Sequence, residues 1–433
     1  MHLMDSILLK NISLPEPSGG LRQADITIGD GRITGILPPS SGHVAGEGCE
    51  VVDCTGKVAL PGFVNMHTHA AMSLMRGVGE DMMLGDWLDH IWKIESRLDG
   101  GFVFNGTRVA ALEMVKTGTT AMNDMYWYPE DAWRAVHGMG LSGAVSYVLL
   151  DGMDPVQAKV QRDACMAFFE KMAGVPGVRP MLSVHTVYTV LEEQILWGFD
   201  YARKHGLRIH IHLCETRKEV EDCRKAHGGL SPVEYLDSLG LLGPDVVAAH
   251  SLWLSDNDIE ILGRNHVNCV HNINSNLKLA SGYMFRWKEL SEAGANVCLG
   301  TDGCASSNNL DMLEAMKTTA LLQKAWREDP SALPLHDLLD MATVNGARAL
   351  GIDSGAIEVG KAADIQIIDT DSTFFLSPGP FLANFIYSAH SDCISSLISG
   401  GKFVMRDRKV DAEREILDGG RAQLKIIENY IKH

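Results

Sequence analysis

No apolar run in this sequence approaches the ~20 residues of a membrane-spanning helix. The nine cysteines are odd in number and scattered, and none falls in a C-x-x-C pair. That argues against a disulfide framework and a cysteine-held zinc knuckle, and suits reduced thiols in a cytoplasmic protein. Basic residues are scarce, 38 against 55 acidic, for a formal charge of −17. Nucleic acid and anionic membranes reward a basic face, so neither is expected as a partner. A small nucleoside held in a pocket stays open. The first ten residues, MHLMDSILLK, carry an acid and no cleavage pattern, so no secretory signal is expected. No Gly-rich phosphate loop follows the first buried strand pattern, which counts against a doubly wound nucleotide-binding sheet. Repeats and low-complexity tracts are lacking too.

What is present is ample material for a core: 433 residues, 45% of them apolar. Residues 1–57 read as short strands with Gly and Asp turns, and GDGR at Gly29–Arg32 predicts a tight hairpin. From residue 58 apolar runs alternate with longer helical patterns, the signature of parallel strands with crossover helices. Eight strands are expected: Val58–Asn65, Thr119–Met122, Leu141–Leu149, Arg179–Val184, Leu207–Leu213, Val246–Ala249, Val267–Val270 and Ala295–Gly300. Most are continuous apolar runs, as for strands buried on both faces. The predicted fold is α/β: a (β/α)8 barrel over 58–356, plus a small β-sandwich domain built from both chain ends, 1–57 with 357–415. A closing helix is expected over 416–433.

The polar residues fall where such a barrel keeps its chemistry, at the C-terminal ends of the strands. His67 and His69 end the first strand, His185 the fourth, His250 the sixth, His271 the seventh and Asp302 the eighth. His210 and His212 lie on the fifth, with Glu215 just beyond. Residues i and i+2 of a strand share a face, so His67 and His69 can aim at one point. His212 and Asp302 can converge on it from other strands. Three neutral imidazoles and a carboxylate suit a borderline cation such as Zn2+, with a position left for water. A single strand-end histidine is ordinarily a satisfied polar residue, and an isolated H-x-H is weak. The recurrence at so many strand ends carries the metal reading. The ten histidines outside these ends, His2, His43 and His433 among them, read as surface or structural.

The stretches PGFVNMHTHAAMSLMRG, IHLCETRKEV, VAAHSLWLSDNDI, VHNINSNLKLASG and CLGTDGCASSNNLDMLEAMKTTALLQK resemble the amidohydrolase superfamily. Within it they resemble the 5-methylthioadenosine/S-adenosylhomocysteine deaminase group, related to the triazine hydrolases. The resemblance implies one catalytic metal, usually zinc, with Fe2+ or Mn2+ able to take the same ligands. It implies His67, His69, His212 and Asp302 as those ligands. Glu215 takes the place of a proton-shuttling glutamate, and His250 that of the histidine beside the reacting water. Asp302 doubles as proton acceptor. Glu95, in WKIESRL, and His185 match residues that contact substrate. The dinuclear branch uses a lysine on the fourth strand; RPMLSVHTVY has none there, which favours one metal. His210 is expected behind the ligands, and the 271–276 loop as structural.

The implied reaction is hydrolytic deamination of an adenine nucleoside to the inosine analogue and ammonia, by a homo-oligomer. Members acting on S-adenosylhomocysteine typically carry an arginine at the end of the third strand, where SYVLLDG places Tyr147. A substrate carboxylate loses its bidentate partner, unless Lys159 or Arg162 supplies the charge. That raises 5-methylthioadenosine and 5-deoxyadenosine. Trp92 and the Met72–Met75 region offer an apolar wall for the 5′ substituent, or plain core packing. Two rivals stand beside this reading: a guanine, pterin or triazine hydrolase on the same scaffold, and a non-catalytic metal-binding relative.

Overall fold

The computed structural model describes residues 6–16, 18–39, 48–175, 177 and 179–428. His2, His43 and His433, the first five residues and the end of the closing segment lie outside them. Two eight-stranded sheets organise the chain. The small sheet takes β1 (Ser6–Pro15), β2 (Leu21–Gly29), β3 (Arg32–Leu37), β4 (Cys49–Asp53) and β5 (Lys57–Pro61) from the front of the chain. The barrel sheet takes β6 (Phe63–Thr68), β7 (Thr119–Met125), β8 (Ser142–Leu149), β9 (Arg179–Val184), β10 (Ile209–Leu213), β11 (Val246–His250), β12 (Asn268–His271) and β13 (Asn296–Leu299). The small sheet is completed by β14 (Ile365–Asp369), β15 (Ile394–Ser399) and β16 (Lys402–Met405).

The barrel strands run in chain order, and each neighbouring pair is parallel. Strands such as IHIHL of β10 and VVAAH of β11 are buried at every position, as expected of a sheet covered on one face by helices and filled on the other. The seam between β13 and β6 is tied just past the strand end. Asp302 N–H donates to the His67 carbonyl at 2.9 Å, and Asn65 exchanges two hydrogen bonds with Thr301. Inside lie Val64, Met66, Ala121, Ala144, Met181, Val247, Val270 and Cys298, all buried.

The small domain's strands are hydrogen-bonded in the order β16-β15-β14-β5-β1-β2-β3 with β4 on β1. It has its own core of Ile7, Leu9, Ile12, Ile26, Ile33, Ile365 and Ile398. The GDGR hairpin forms as expected: Gly29 pairs with Arg32 across a two-residue turn, with φ of 51° at Asp30 and 75° at Gly31. The closing helix is Glu413–Gln423, followed by a 3-10 turn over Leu424–Ile426.

The first expected barrel strand, Val58–Asn65, is two strands. Val58–Leu60 pair antiparallel with β14 in the small sheet, and the barrel begins at Phe63. Gly62 N–H donates to Asp364 O and Phe63 N–H to Gly118 O, so adjacent residues serve different sheets. The apolar run is continuous across the break, which hides it from pattern reading. A Cβ on Gly62 would stand 2.3 Å from Thr120 Oγ1 and 2.4 Å from its Cγ2. Gly62→Ala is therefore expected to lose about 1–3 kcal/mol through overpacking. Urea unfolding measures it, and an unchanged midpoint contradicts the close approach.

Candidate active site

The strand ends converge. His69 Nε2 lies 3.3 Å and His67 Nε2 3.4 Å from Asp302 Oδ1, and His212 Nε2 lies 3.4 Å from His69 Nε2. Ligand atoms of His67, His69 and His212 fall within 4.8 Å of one another, as do those of His67, His250 and Asp302. The backbone delivers these side chains through tight bends. Asp302 (φ 64°), His250 (71°), Ser251 (45°) and Cys214 (53°) all occupy the left-handed region. Non-glycine residues rest there only when their surroundings force them, and such bends gather at functional sites.

Each imidazole is oriented from behind. His69 Nδ1–H donates to Met125 O, and His212 Nδ1–H to His185 O at 2.9 Å. Both therefore turn an Nε2 lone pair inward. His67 Nδ1 lies 3.0 Å from His210 Nε2, and the Asn123 amide 3.2 Å from the other His210 nitrogen. Burial, together with the neighbouring rings, lowers the pKa of His210 and His212 well below the usual value. It takes His67 to about 4 despite Asp302. Burial also pushes Asp302 up, but the facing rings of His67, His69 and His250 outweigh it and hold its carboxyl well below the carboxylate range.

Neutral imidazoles and an ionised carboxylate are the donor state that a divalent cation requires. The buried His67 Nε2 has no hydrogen-bond partner, a cost that a cation would remove. The residues present fit a metal.

Above this cluster opens a pocket lined by His69, His212, His250, Asp302, Glu215, His185, Trp92 and Glu95, with an apolar wall of Met72, Leu84, Trp87, Leu88 and Ile91. Glu215 is buried, and burial, then the Asp302 charge, raises its pKa to about 8. Its Oε1 accepts from Ser281 Oγ at 3.2 Å, and its Oε2 stands 3.7 Å from His250 Nε2. The Asn276 amide nitrogen lies 3.0 Å from His250 Nδ1. With Asn276 donating, the His250 proton sits on Nε2, aimed into the pocket.

Glu95 ends the helix Leu84–Glu95 and stands where the pocket meets an outer cavity of Leu98, Trp127, Tyr128, Tyr147, Leu150 and Gln161. Burial raises its pKa, with the nearby Tyr126 and Trp127 opposing the shift. Trp92 lines both spaces, and its ring lies 6.1 Å from that of His185. His185 Nδ1 is taken by Thr189 Oγ1 at 2.9 Å, which leaves Nε2 free.

Other expected residues fall elsewhere. Met72 lines the pocket, while Met75 is fully buried in the core. Tyr147 faces the outer cavity only. Arg162 does not supply a charge there. Its guanidinium bonds Gln194 Oε1 at 2.6 Å and lies over Trp197. Lys159 is exposed and lines neither space. His271 stacks on Phe285 with ring centroids 4.1 Å apart, away from the pocket. Pattern reading missed Asn276 and Ser281 as partners of His250 and Glu215. It also missed Glu219, whose only signal is a second glutamate in CETRKEV.

The family model described as "Amidohydrolase family" matches residues 58–404. The chain is 41% identical over 414 residues to a 5'-deoxyadenosine deaminase of Methanothermobacter thermautotrophicus, covering 95% of this chain and 96% of that protein. It is 39% identical over 434 residues to a 5'-deoxyadenosine deaminase of Methanosarcina barkeri, covering 98% and 99%. Among solved structures it is similar to an adenosine deaminase from Xanthomonas campestris with bound zinc, at 29% identity and a TM-score of 0.92, covering 98% and 99%. An atrazine chlorohydrolase from Arthrobacter aurescens, solved with zinc, shares the fold at 21% identity and a TM-score of 0.87, covering 96% and 100%.

His67→Ala and Asp302→Ala are each expected to weaken zinc binding by at least about 100-fold, read by chelator competition. Unchanged affinity in both would remove the cation from this cluster.

Proposed function

The chain belongs to the amidohydrolase family, and we propose that it hydrolyses the C6–amine bond of the adenine ring in a 5-deoxyadenosine-type nucleoside. The products are the inosine analogue and ammonia. The observation that carries this reading is one pair of carboxyl groups in one pocket. Glu215 is held protonated near neutral pH and Asp302 ionised, the arrangement of an acid beside a base. The deaminases among its relatives support the substrate class.

His67, His69, His212 and Asp302 would hold one divalent cation, zinc before Fe2+ or Mn2+. When bound, it supplies the Lewis acidity that makes water a nucleophile at neutral pH. Glu215 gives its proton to N1 of the purine as the water oxygen adds to C6. The Asp302 carboxylate takes one proton from that water and passes it to the amine, so the C6–N bond breaks and ammonia leaves. The second water proton, released as the C6 carbonyl forms, restores Glu215. The His250 Nε2–H orients the attacking oxygen. The apolar wall from Leu84 to Trp92 keeps other water out.

Glu95, at the mouth of the inner pocket, is assigned to two ribose hydroxyls, and His185 Nε2 to a further substrate contact. The 5′ end then lies toward Trp92 and Tyr147. No Lys, Arg or His lines the outer cavity among the described residues. That favours an uncharged 5′ group, as in 5-deoxyadenosine or 5-methylthioadenosine, over the amino-acid tail of S-adenosylhomocysteine. We also propose, from the family resemblance, that the chain works as a homo-oligomer in the cytoplasm. Nine free thiols, eight of them buried, fit a reducing compartment, and light scattering reads the assembly state.

Glu215→Gln should keep its metal and lose turnover by roughly 10²–10⁴-fold. Because Glu215 acts protonated with a pKa near 8, kcat/KM holds below that pH and falls about tenfold per unit above it. A profile flat well beyond pH 8 would remove Glu215 as the acid.

Ammonia release across 5-deoxyadenosine, 5-methylthioadenosine, adenosine, S-adenosylhomocysteine, guanine and a hydroxytriazine tests the substrate. The first two should lead, with S-adenosylhomocysteine at least about tenfold lower in kcat/KM. Turnover of free bases or triazines alone would sink the nucleoside reading, and a metal-loaded protein inert to all would favour the non-catalytic one.

A further inference from the structure

One buried carboxylate beside the pocket has no part in the steps above. Glu219 stands in the first turn of the helix Arg217–Ala226 and is 7% exposed. What it binds is backbone. Its Oε1 accepts from Cys214 N–H at 2.8 Å, and its Oε2 from Glu215 N–H at 2.7 Å. Its own N–H donates to Thr216 Oγ1 at 3.1 Å, the N-cap of that helix. In an ordinary capping box the glutamate reaches back to the N-cap N–H. Here the two shortest bonds go to the two residues before the cap.

Those residues form the bend that carries Glu215. The pairing of β10 with β11 ends at Leu213 opposite His250, so the Cys214 and Glu215 N–H groups have left the ladder. Cys214 is left-handed, with φ of 53°. The Cys214 carbonyl is taken from the other side by the N–H groups of Leu252, at 3.1 Å, and Trp253, at 2.9 Å. Glu219 supplies the opposing grip. Without it, two buried donors lose their acceptor and the bend has one fewer reason to hold a left-handed residue.

We propose that Glu219 is a positioning residue for Glu215: it clamps the two peptide N–H groups of the bend and so fixes where the Glu215 carboxyl meets the purine. The inference rests on Glu215 as the proton donor. Glu219→Asp keeps the carboxyl group but draws it back from both donors. Glu219→Gln keeps the length and one acceptor oxygen.

The experiment measures kcat and KM for 5-deoxyadenosine in both variants, with metal content and melting temperature alongside, against wild type and Glu215→Gln. A small misplacement of a reacting group costs on the order of 100-fold, so the Asp variant should lose about that in kcat and the Gln variant about tenfold. KM should stay within about threefold, since substrate contacts are intact. Adding Glu219→Gln to Glu215→Gln should give no further loss, because both act through one group. Wild-type kcat in both Glu219 variants, with Glu215→Gln inactive, overturns the inference alone. So does a rise in KM at constant kcat, or a further loss in the double variant. An active Glu215→Gln overturns the proton-donor reading itself.

Discussion

The bond from Asp302 N–H to the His67 carbonyl joins the end of the last barrel strand to the first, and the rest of the site depends on it. It brings a carboxylate from one end of the barrel sequence against imidazoles from the other. Closing the seam buries His67 completely, and burial lowers its pKa to about 4, which keeps the ring neutral even in mild acid. A buried ring nitrogen with no hydrogen-bond partner is then left facing the ionised Asp302. The same enclosure has the opposite effect on Glu215, which burial and then the Asp302 charge leave protonated near neutral pH. One physical cause, exclusion of water, thus produces both the ligand state below and the acid above.

Much of the site was legible because strand geometry is periodic. H-x-H on a strand puts two rings on one face, and the barrel places strand ends together, so His67, His69, His212 and Asp302 could be gathered from spacing, while the place of His250 came from the family resemblance. Spacing could not separate His250 from His271. Both end a strand, yet one is bent left-handed into the pocket and the other lies flat on Phe285. The run through Gly62 read as one strand because nothing apolar is interrupted where the chain changes sheets. Arg162 was a plausible cation for a substrate tail until its long side chain was seen bonded to Gln194. Glu219 and Asn276 escaped notice because their partners are a backbone bend and a ring on another strand, neither of which leaves a periodic mark.

The two spaces divided by Glu95 also separate two kinds of recognition. The inner one is polar at its floor and fixes a reacting heterocycle by hydrogen bonds of defined direction. The outer one is aromatic, with Tyr147 and Trp127 offering broad faces and few directional groups. Shape and apolar area decide affinity there, so related 5′ groups differ modestly, whereas a change at the purine is read sharply. On the proposed assignment, reactivity and selectivity can vary independently on this scaffold.

The small sheet closes through β5 and β14, strands from opposite ends of the chain. A ribosome releases β1, β2, β3 and β5 first, with isoleucines made to be covered and one edge of β5 lacking its neighbour. The barrel units that follow pair each strand with the next, so their contacts are short in sequence and form quickly. The partner strands β14 and β15 emerge only after the whole barrel. During that interval the β5 edge is a template for any passing strand, including one from another nascent chain. The clasp that unites the two termini in the native protein is therefore an open edge during biogenesis.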